Sequence, residues 1–259
     1  MELAASAGLS AVALVDHDTF AGIEEARAAA ANLGITFVSG VELSVDHDGR
    51  KMHMLVYFVD ETDSEIETKL AELRAGRTVR NEQIARSLVG LGYAITIDEV
   101  LAEAKGPSVG RPHFADVLVT KGYFANRDEV FADLLNDGGA AYAPRPRMTA
   151  TQAIEMALAA GGVAVIAHPA TIAASAQEYD KLFADLAHVG LGGIEAYHSM
   201  HTPGLRLHLA EVAESLGIAA TGGSDYHGAG KRDYRIGVGR GDLKVPDDAL
   251  EALEARRPG

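Results

Sequence analysis

The sequence predicts an α/β fold, a parallel sheet or β/α barrel interrupted by a helical insertion. Three observations carry that prediction. Short apolar runs alternate with alanine-rich amphipathic stretches at both ends of the chain, the middle of the chain loses its strand signals, and histidines and acids gather at the ends of the apolar runs.

Taken in order, residues 1–8 read as the end of a helix stopped at Gly8, 11–15 as a short strand, and 20–32 as an alanine-rich helix closed by Gly34. A strand at 35–39 follows. Segments 41–45 and 52–59 flank Asp46-His47-Asp48-Gly49, which has the composition of a hairpin turn. From 63 to 148 helical patterns dominate, at 64–90, 97–104, 112–121 and 127–135. Strand and helix then alternate again: helix 151–160, strand 163–167, helix 176–188, strand 193–197, helix 204–216, strand 218–221 and a last helix near 247–256. The expected organisation is a β/α domain formed by 1–62 and 149–259, with 63–148 inserted as a helical cap.

Composition narrows the chemistry. The 259 residues are 47% hydrophobic, enough for one large domain or one carrying a sizeable insertion. No apolar run reaches the roughly 18 residues of a membrane span, and the amino terminus lacks the basic-then-apolar pattern of a signal peptide, so a cytoplasmic protein is expected. With no cysteine, disulfides and thiolate metal sites are excluded, and any metal must be held by His, Asp and Glu. The net charge of −14 disfavours nonspecific binding to polyanions, so if the substrate is a nucleic acid or nucleotide its basic contacts must be local. Arg74, Arg77, Arg80 and Arg86 lie in one helical segment, where exposed arginines are usually solvated surface. Arg111, Arg145 and Arg147 are further local cations.

The placement of polar residues is the informative feature. Asp16-His17-Asp18 follows the first strand, Glu42 follows the second after one glycine, and His168 closes strand 163–167. His198 closes 193–197, and Asp225 and His227 follow the strand ending at 221. In β/α barrels the strand C-termini meet at one face, where active sites are built. His53, on the hairpin, can point the same way. Each residue also has an ordinary reading: Asp16 and Asp18 as helix caps, Glu42 as a satisfied strand-end acid, Asp225-Tyr226-His227 as a turn, any single histidine as a hydrogen-bonded loop residue. Together these readings require several separate strands to end in imidazole or carboxylate by accident. The same donors suit Zn, Mn or Fe when thiolates are absent. His201 is open between loop and substrate contact. Gly110-Arg111-Pro112-His113 sets a guanidinium and an imidazole at a helix start, either to hold phosphate or as ordinary N-terminal proline chemistry.

The segments Val12-Ala13-Leu14-Val15-Asp16-His17-Asp18-Thr19, Gly40-Val41-Glu42-Leu43-Ser44, Gly110-Arg111-Pro112-His113, Ala167-His168-Pro169 and Gly223-Ser224-Asp225-Tyr226-His227 resemble, in order, motifs of the polymerase-and-histidinol-phosphatase (PHP) phosphoesterases. They are most similar to the subgroup with a helical insertion, which includes nucleoside 3′,5′-bisphosphate phosphatases and 5′-to-3′ exoribonucleases. The resemblance implies a distorted β/α barrel with up to three divalent metals (Mn, Zn or Fe) and no organic cofactor. It makes Glu42 a bridging carboxylate, His53 and His168 the other ligands of the second metal, Asp225 a ligand of the first, and His17 and His227 ligands of the third, with Asp16 as an orienting acid. The family's opening strand, with its His-x-His ligands, has no counterpart here, so the barrel is expected with that first strand missing.

By the same resemblance, metal-activated hydroxide attacks phosphorus while His198 or His201 helps neutralise the leaving oxygen, and Arg111 and His113 contact phosphate. The expected substrate is a 3′,5′-bisphosphonucleoside or the 5′ end of a short RNA, with no membrane and no stable protein partner. A histidinol-phosphate-type phosphatase and a non-catalytic nucleotide-binding relative are the alternatives.

Overall fold

A computed structural model of the chain describes residues 1–104, 108–172, 175–228 and 234–259. Residues 105–107, inside the expected insertion, therefore lie outside the described residues. The polypeptide divides into two compact units, Met1–Glu67 with Met148–Gly259, and Thr68–Arg147.

The first unit is built on one mixed sheet curled into a half-barrel. Helix α1 (Glu2–Ser6) leads through Gly8, whose φ of 76° suits glycine, into strand β1 (Ala11–Leu14). Helix α2 (Ile23–Leu33) buries Ile23, Ala26 and Ala30 and ends at Gly34 in the left-handed conformation. It starts three residues later than the sequence pattern, because Phe20 accepts the Ile23 amide in a turn.

Strand β2 (Thr36–His47) is the spine of the sheet. The sequence reads as two strands broken at Gly40, but the structure runs one strand through it. Residues 36–39 pair in parallel with β1, and 40–47 pair antiparallel with β3 (Arg50–Tyr57). The turn between β2 and β3 has positive φ at both Asp48 (51°) and Gly49 (78°), the geometry of a type I′ hairpin. Gly40 is required where the strands crowd, since a β-carbon there would lie 2.7 Å from the Val56 carbonyl oxygen.

The two-residue strand β4 (Met148–Thr149) pairs beside β2, and Thr149 caps helix α7 (Ala150–Ala159) with a reciprocal box to Gln152. Strand β5 (Val163–Ala167) is buried at every position, as an apolar run covered on both faces must be. It lies antiparallel to β3, so the sheet is mixed where the sequence pattern implied parallel strands. Helix α8 (Ala176–Val189), strand β6 (Gly193–His198), helix α9 (Pro203–Leu216), strand β7 (Ala219–Gly223) and helix α10 (Ala249–Glu254) complete the unit, with β5, β6 and β7 parallel. The order is β1-β2-β3-β5-β6-β7, and among the described residues β1 and β7 do not pair with each other.

The second unit is helical. Most of α3 (Ser64–Gly90) belongs to it, with α4 (Ile97–Ala104), α5 (Arg111–Thr120) and α6 (Arg127–Val130), which runs into a π-helical turn at Phe131–Leu135. It has its own core around Ile84, Leu88, Phe114, Leu118 and Leu135. No helix among the described residues is long and apolar enough to cross a membrane.

Candidate active site

The site of the first unit is assembled around one carboxylate. Past the end of β1 the chain continues alongside β2: the Glu42 amide donates to the Asp16 carbonyl at 3.1 Å, and the Asp18 amide donates to the Glu42 carbonyl at 3.0 Å. This short parallel pairing carries His17 to Glu42. His53 sits across the β2–β3 ladder and His168 at the end of β5, opposite His53 through Ala167.

The side chains converge accordingly. Glu42 Oε1 is 2.8 Å from His53 Nδ1 and 3.1 Å from His168 Nε2, Glu42 Oε2 is 3.6 Å from His17 Nδ1, and the two nitrogens of His53 and His168 are 3.3 Å apart. Donor atoms of His17, Glu42 and His53 lie within 4.8 Å of one another, close enough to serve as metal ligands. Burial alone would push the Glu42 carboxyl up, but His17, His168 and His53 outweigh it and hold the group well below the usual carboxylate range. Burial likewise opposes the charge on His168, and hydrogen bonding to Glu42 raises its pKa in spite of that.

His168 is held from three sides. Its φ of 28° and ψ of 63° place a non-glycine residue in left-handed backbone geometry. Its amide donates to Glu195 Oε2 at 2.7 Å. The Thr171 hydroxyl donates to the His168 carbonyl and meets His168 Nδ1 at 3.1 Å, so Nδ1 carries the ring proton and Nε2 is turned to Glu42. Two ring nitrogens crowded on one carboxylate oxygen, in a chain without thiolates, fit a divalent cation: its charge offsets the buried carboxylate and accepts both lone pairs.

Asp225 and His227 follow β7 and lie further round the rim. Asp225 has a φ of 50° and acts electrostatically on His168 and Glu195. The half-exposed His227 places Nδ1 2.8 Å from the Asp225 carbonyl and 3.3 Å from its carboxylate, and its charge reaches Asp16. Burial raises the Asp16 pKa, with His227 opposing and Glu42 reinforcing.

The two candidate proton donors separate. The fully buried His198 accepts the Met200 amide at Nδ1 (3.1 Å), which leaves its proton on Nε2, and its ring lies 5.6 Å from that of His168. His201 meets the Ala196 carbonyl through Nδ1 at 2.8 Å and the Ala170 amide through Nε2 at 3.3 Å. Both of its nitrogens therefore meet the backbone, and the ring braces the segment that follows β6.

In the helical unit, Gly110 caps α5. His113 Nδ1 accepts the Gly110 amide at 3.0 Å, so Nε2 of this half-buried ring carries the proton. Burial lowers its pKa. Arg111 donates through Nη1 to the Leu135 carbonyl at 2.9 Å and lies over the Phe131 ring.

One residue absent from the sequence reading stands out. Glu195 is buried within β6, and burial pushes its carboxyl up to about 7 against the pull of His168. A single acid inside the otherwise apolar strand 193–197 was its signal. Arg77 and Arg80, which share the pattern of solvated surface, are buried.

No family model matches the chain. It is similar to a 5′-3′ exoribonuclease from Haemophilus influenzae, 34% identical over 220 residues that span 85% of this chain and 80% of that protein. It is similar also to a 3′,5′-nucleoside bisphosphate phosphatase from Chromobacterium violaceum, 32% identical over 92% of this chain and 84% of that one. Among solved structures, a metal-dependent phosphoesterase from Bifidobacterium adolescentis superposes with a TM-score of 0.85 at 31% identity, over 100% of this chain and 90% of that one.

Proposed function

The chain belongs to the PHP-type metal-dependent phosphoesterases, and from that membership we propose that it hydrolyses a phosphate ester of a 3′,5′-bisphosphonucleoside or of the 5′ end of a short RNA. Its action as a metal-dependent nucleotide phosphoesterase follows from the activities named for its relatives. The observation that carries the reading is the buried Glu42 carboxylate with His53, His168 and His17 gathered on it.

In this reading Glu42, His53 and His168 hold one divalent cation, Glu42 and Asp225 contribute to a second, and His17 and His227 to a third. Bound there, Mn, Zn or Fe supplies Lewis acidity that acidifies water and offsets phosphate charge. The chain's own residues do the rest. Thr171 and Glu195 fix the ring and backbone of His168. Asp16 stands beside His227 and Glu42 as an orienting acid. His198, with its proton on Nε2 and its ring beside that of His168, is the candidate donor to a leaving oxygen. Arg111 and His113 contact a phosphate of the substrate, His113 through the proton on Nε2.

The test is phosphate release from adenosine 3′,5′-bisphosphate and from a 5′-phosphorylated trinucleotide in Mn²⁺, beside histidinol phosphate as control. Turnover of either nucleotide in preference to histidinol phosphate is expected, with loss by at least roughly 100-fold in Glu42→Gln, more than removal of an outer partner of a metal ligand costs. Preference for histidinol phosphate, or wild-type turnover by Glu42→Gln, overturns the reading.

A further inference from the structure

One face of α3 in the helical unit has a composition that contact with water alone does not explain. Val79, Glu82, Arg86 and Val89 follow one another at spacings of three, four and three residues, so all four share one stripe of the helix. Val79 is 53% exposed and Val89 57%. A β-branched residue gains nothing at an open helical position, where it lowers helix propensity and leaves apolar surface wet. Glu82, Arg86 and Val89 also line an open groove together with Ala85, Ile95 and Ile97. Leu101, one turn beyond Ile97 on α4, is 50% exposed. Single apolar side chains are ordinary on a protein surface, but a stripe that runs into an apolar groove marks a contact face.

The order of the four residues selects the occupant. Read from either end the stripe is apolar, charged, charged, apolar, and its positions are symmetric about residue 84. A second copy of α3 laid antiparallel about a two-fold axis at that point sets Val79 against Val89 and Glu82 against Arg86, twice each. A parallel copy in register would instead oppose Glu82 to Glu82 and Arg86 to Arg86. Within one chain Arg86 Nη1 lies 3.6 Å from Glu82 Oε2, and the two side chains stay 67% and 51% exposed, so both ions are accessible to a second copy. With one acid and one base, the stripe is neutral and adds nothing to the repulsion between two chains of net charge −14.

We propose that this stripe and groove form the self-complementary face of a homodimer, in which two α3 helices pack antiparallel across a two-fold axis at residue 84 and Val79 of each copy is set over the groove of the other. Burial of the valines drives association, and the crossed Glu82–Arg86 pairs fix its direction and register. The proposal is independent of the phosphoesterase reading and of any metal.

Sedimentation equilibrium of the full chain across the micromolar range tests the face, and a monomer–dimer equilibrium is expected. Glu82→Arg and Arg86→Glu each turn both crossed pairs into repulsions and are expected to raise the dimer Kd at least roughly tenfold. The double reversal, Glu82→Arg with Arg86→Glu, restores opposite charges across the axis and is expected to bring the Kd back to within about threefold of the wild type. Val89→Asp is expected to leave the chain monomeric over the same range. These positions are exposed, so each variant is expected to keep the wild-type circular dichroism; should Val89→Asp lose it, the charge reversals carry the same readout. A wild-type chain that stays monomeric throughout leaves the face to a different protein and overturns the proposal. So does a dimer whose Kd ignores the charge reversals or a folded Val89→Asp, or one that the double reversal fails to restore, because the antiparallel register alone makes that rescue.

Discussion

Glu195 shows how one residue outside the proposed metal ligands can govern the site. Its carboxyl takes the His168 amide and so holds left-handed backbone that only a fully constrained residue adopts. Because burial raises its pKa to about 7, the folded chain keeps a proton that the unfolded chain releases above the ordinary carboxylate range. Stability of the chelated protein is therefore present in full below that range and declines as pH rises toward 7, by on the order of 3 kcal/mol. Glu195→Gln keeps an acceptor for the amide and is expected to flatten this decline in urea melts between pH 4.5 and 7.5; an unaltered pH slope would refute the assignment. His201 gives a contrasting case. With both nitrogens bonded to backbone, His201→Ala orphans the Ala196 carbonyl and the Ala170 amide, and a stability loss of roughly 1–3 kcal/mol in denaturant melts is expected.

At the scale of elements, strand β2 decides the geometry. It pairs with β1 up to Ser39 and with β3 from Gly40 onward, and Glu42 lies just past the changeover. Gly40 permits this, since any side chain would press on the Val56 carbonyl, Val15 and Tyr57. Gly40→Ala is expected to cost about 1–3 kcal/mol, the usual penalty of overpacking, and to lower metal occupancy along with the melting temperature, because Glu42 must shift with the strand. Metal analysis of the purified variant checks this. A variant with wild-type occupancy would show that β2 tolerates the displacement.

For the whole molecule, the two units have separate cores, one around Val38, Leu55 and Val165 beneath the sheet and one around Ile84, Phe114 and Leu135 among the helices. Cations that bind only the folded sheet unit stabilise it by mass action. Chelation is therefore expected to lower protection from hydrogen exchange in β2, β3 and β5 and to leave α4 and α5 unchanged, with recovery on adding Mn²⁺. Loss of protection spread evenly over both units would contradict a metal site confined to the first.

The sequence by itself determined the alternation of strands and helices, the helical character of the insertion and the residue types at the strand ends, because apolar periodicity and punctuation by glycine and proline are local properties. It determined Glu42, His53 and His168 as candidates for the same reason: each sits beside a legible strand. Tertiary structure alone decided that β2 is continuous and β5 antiparallel to β3, since register depends on what lies across the ladder. It alone showed Glu195 behind His168, the brace formed by His201, and Arg77 and Arg80 buried rather than solvated. Burial and partnership belong to pairs of distant residues, and no local pattern along one chain encodes them.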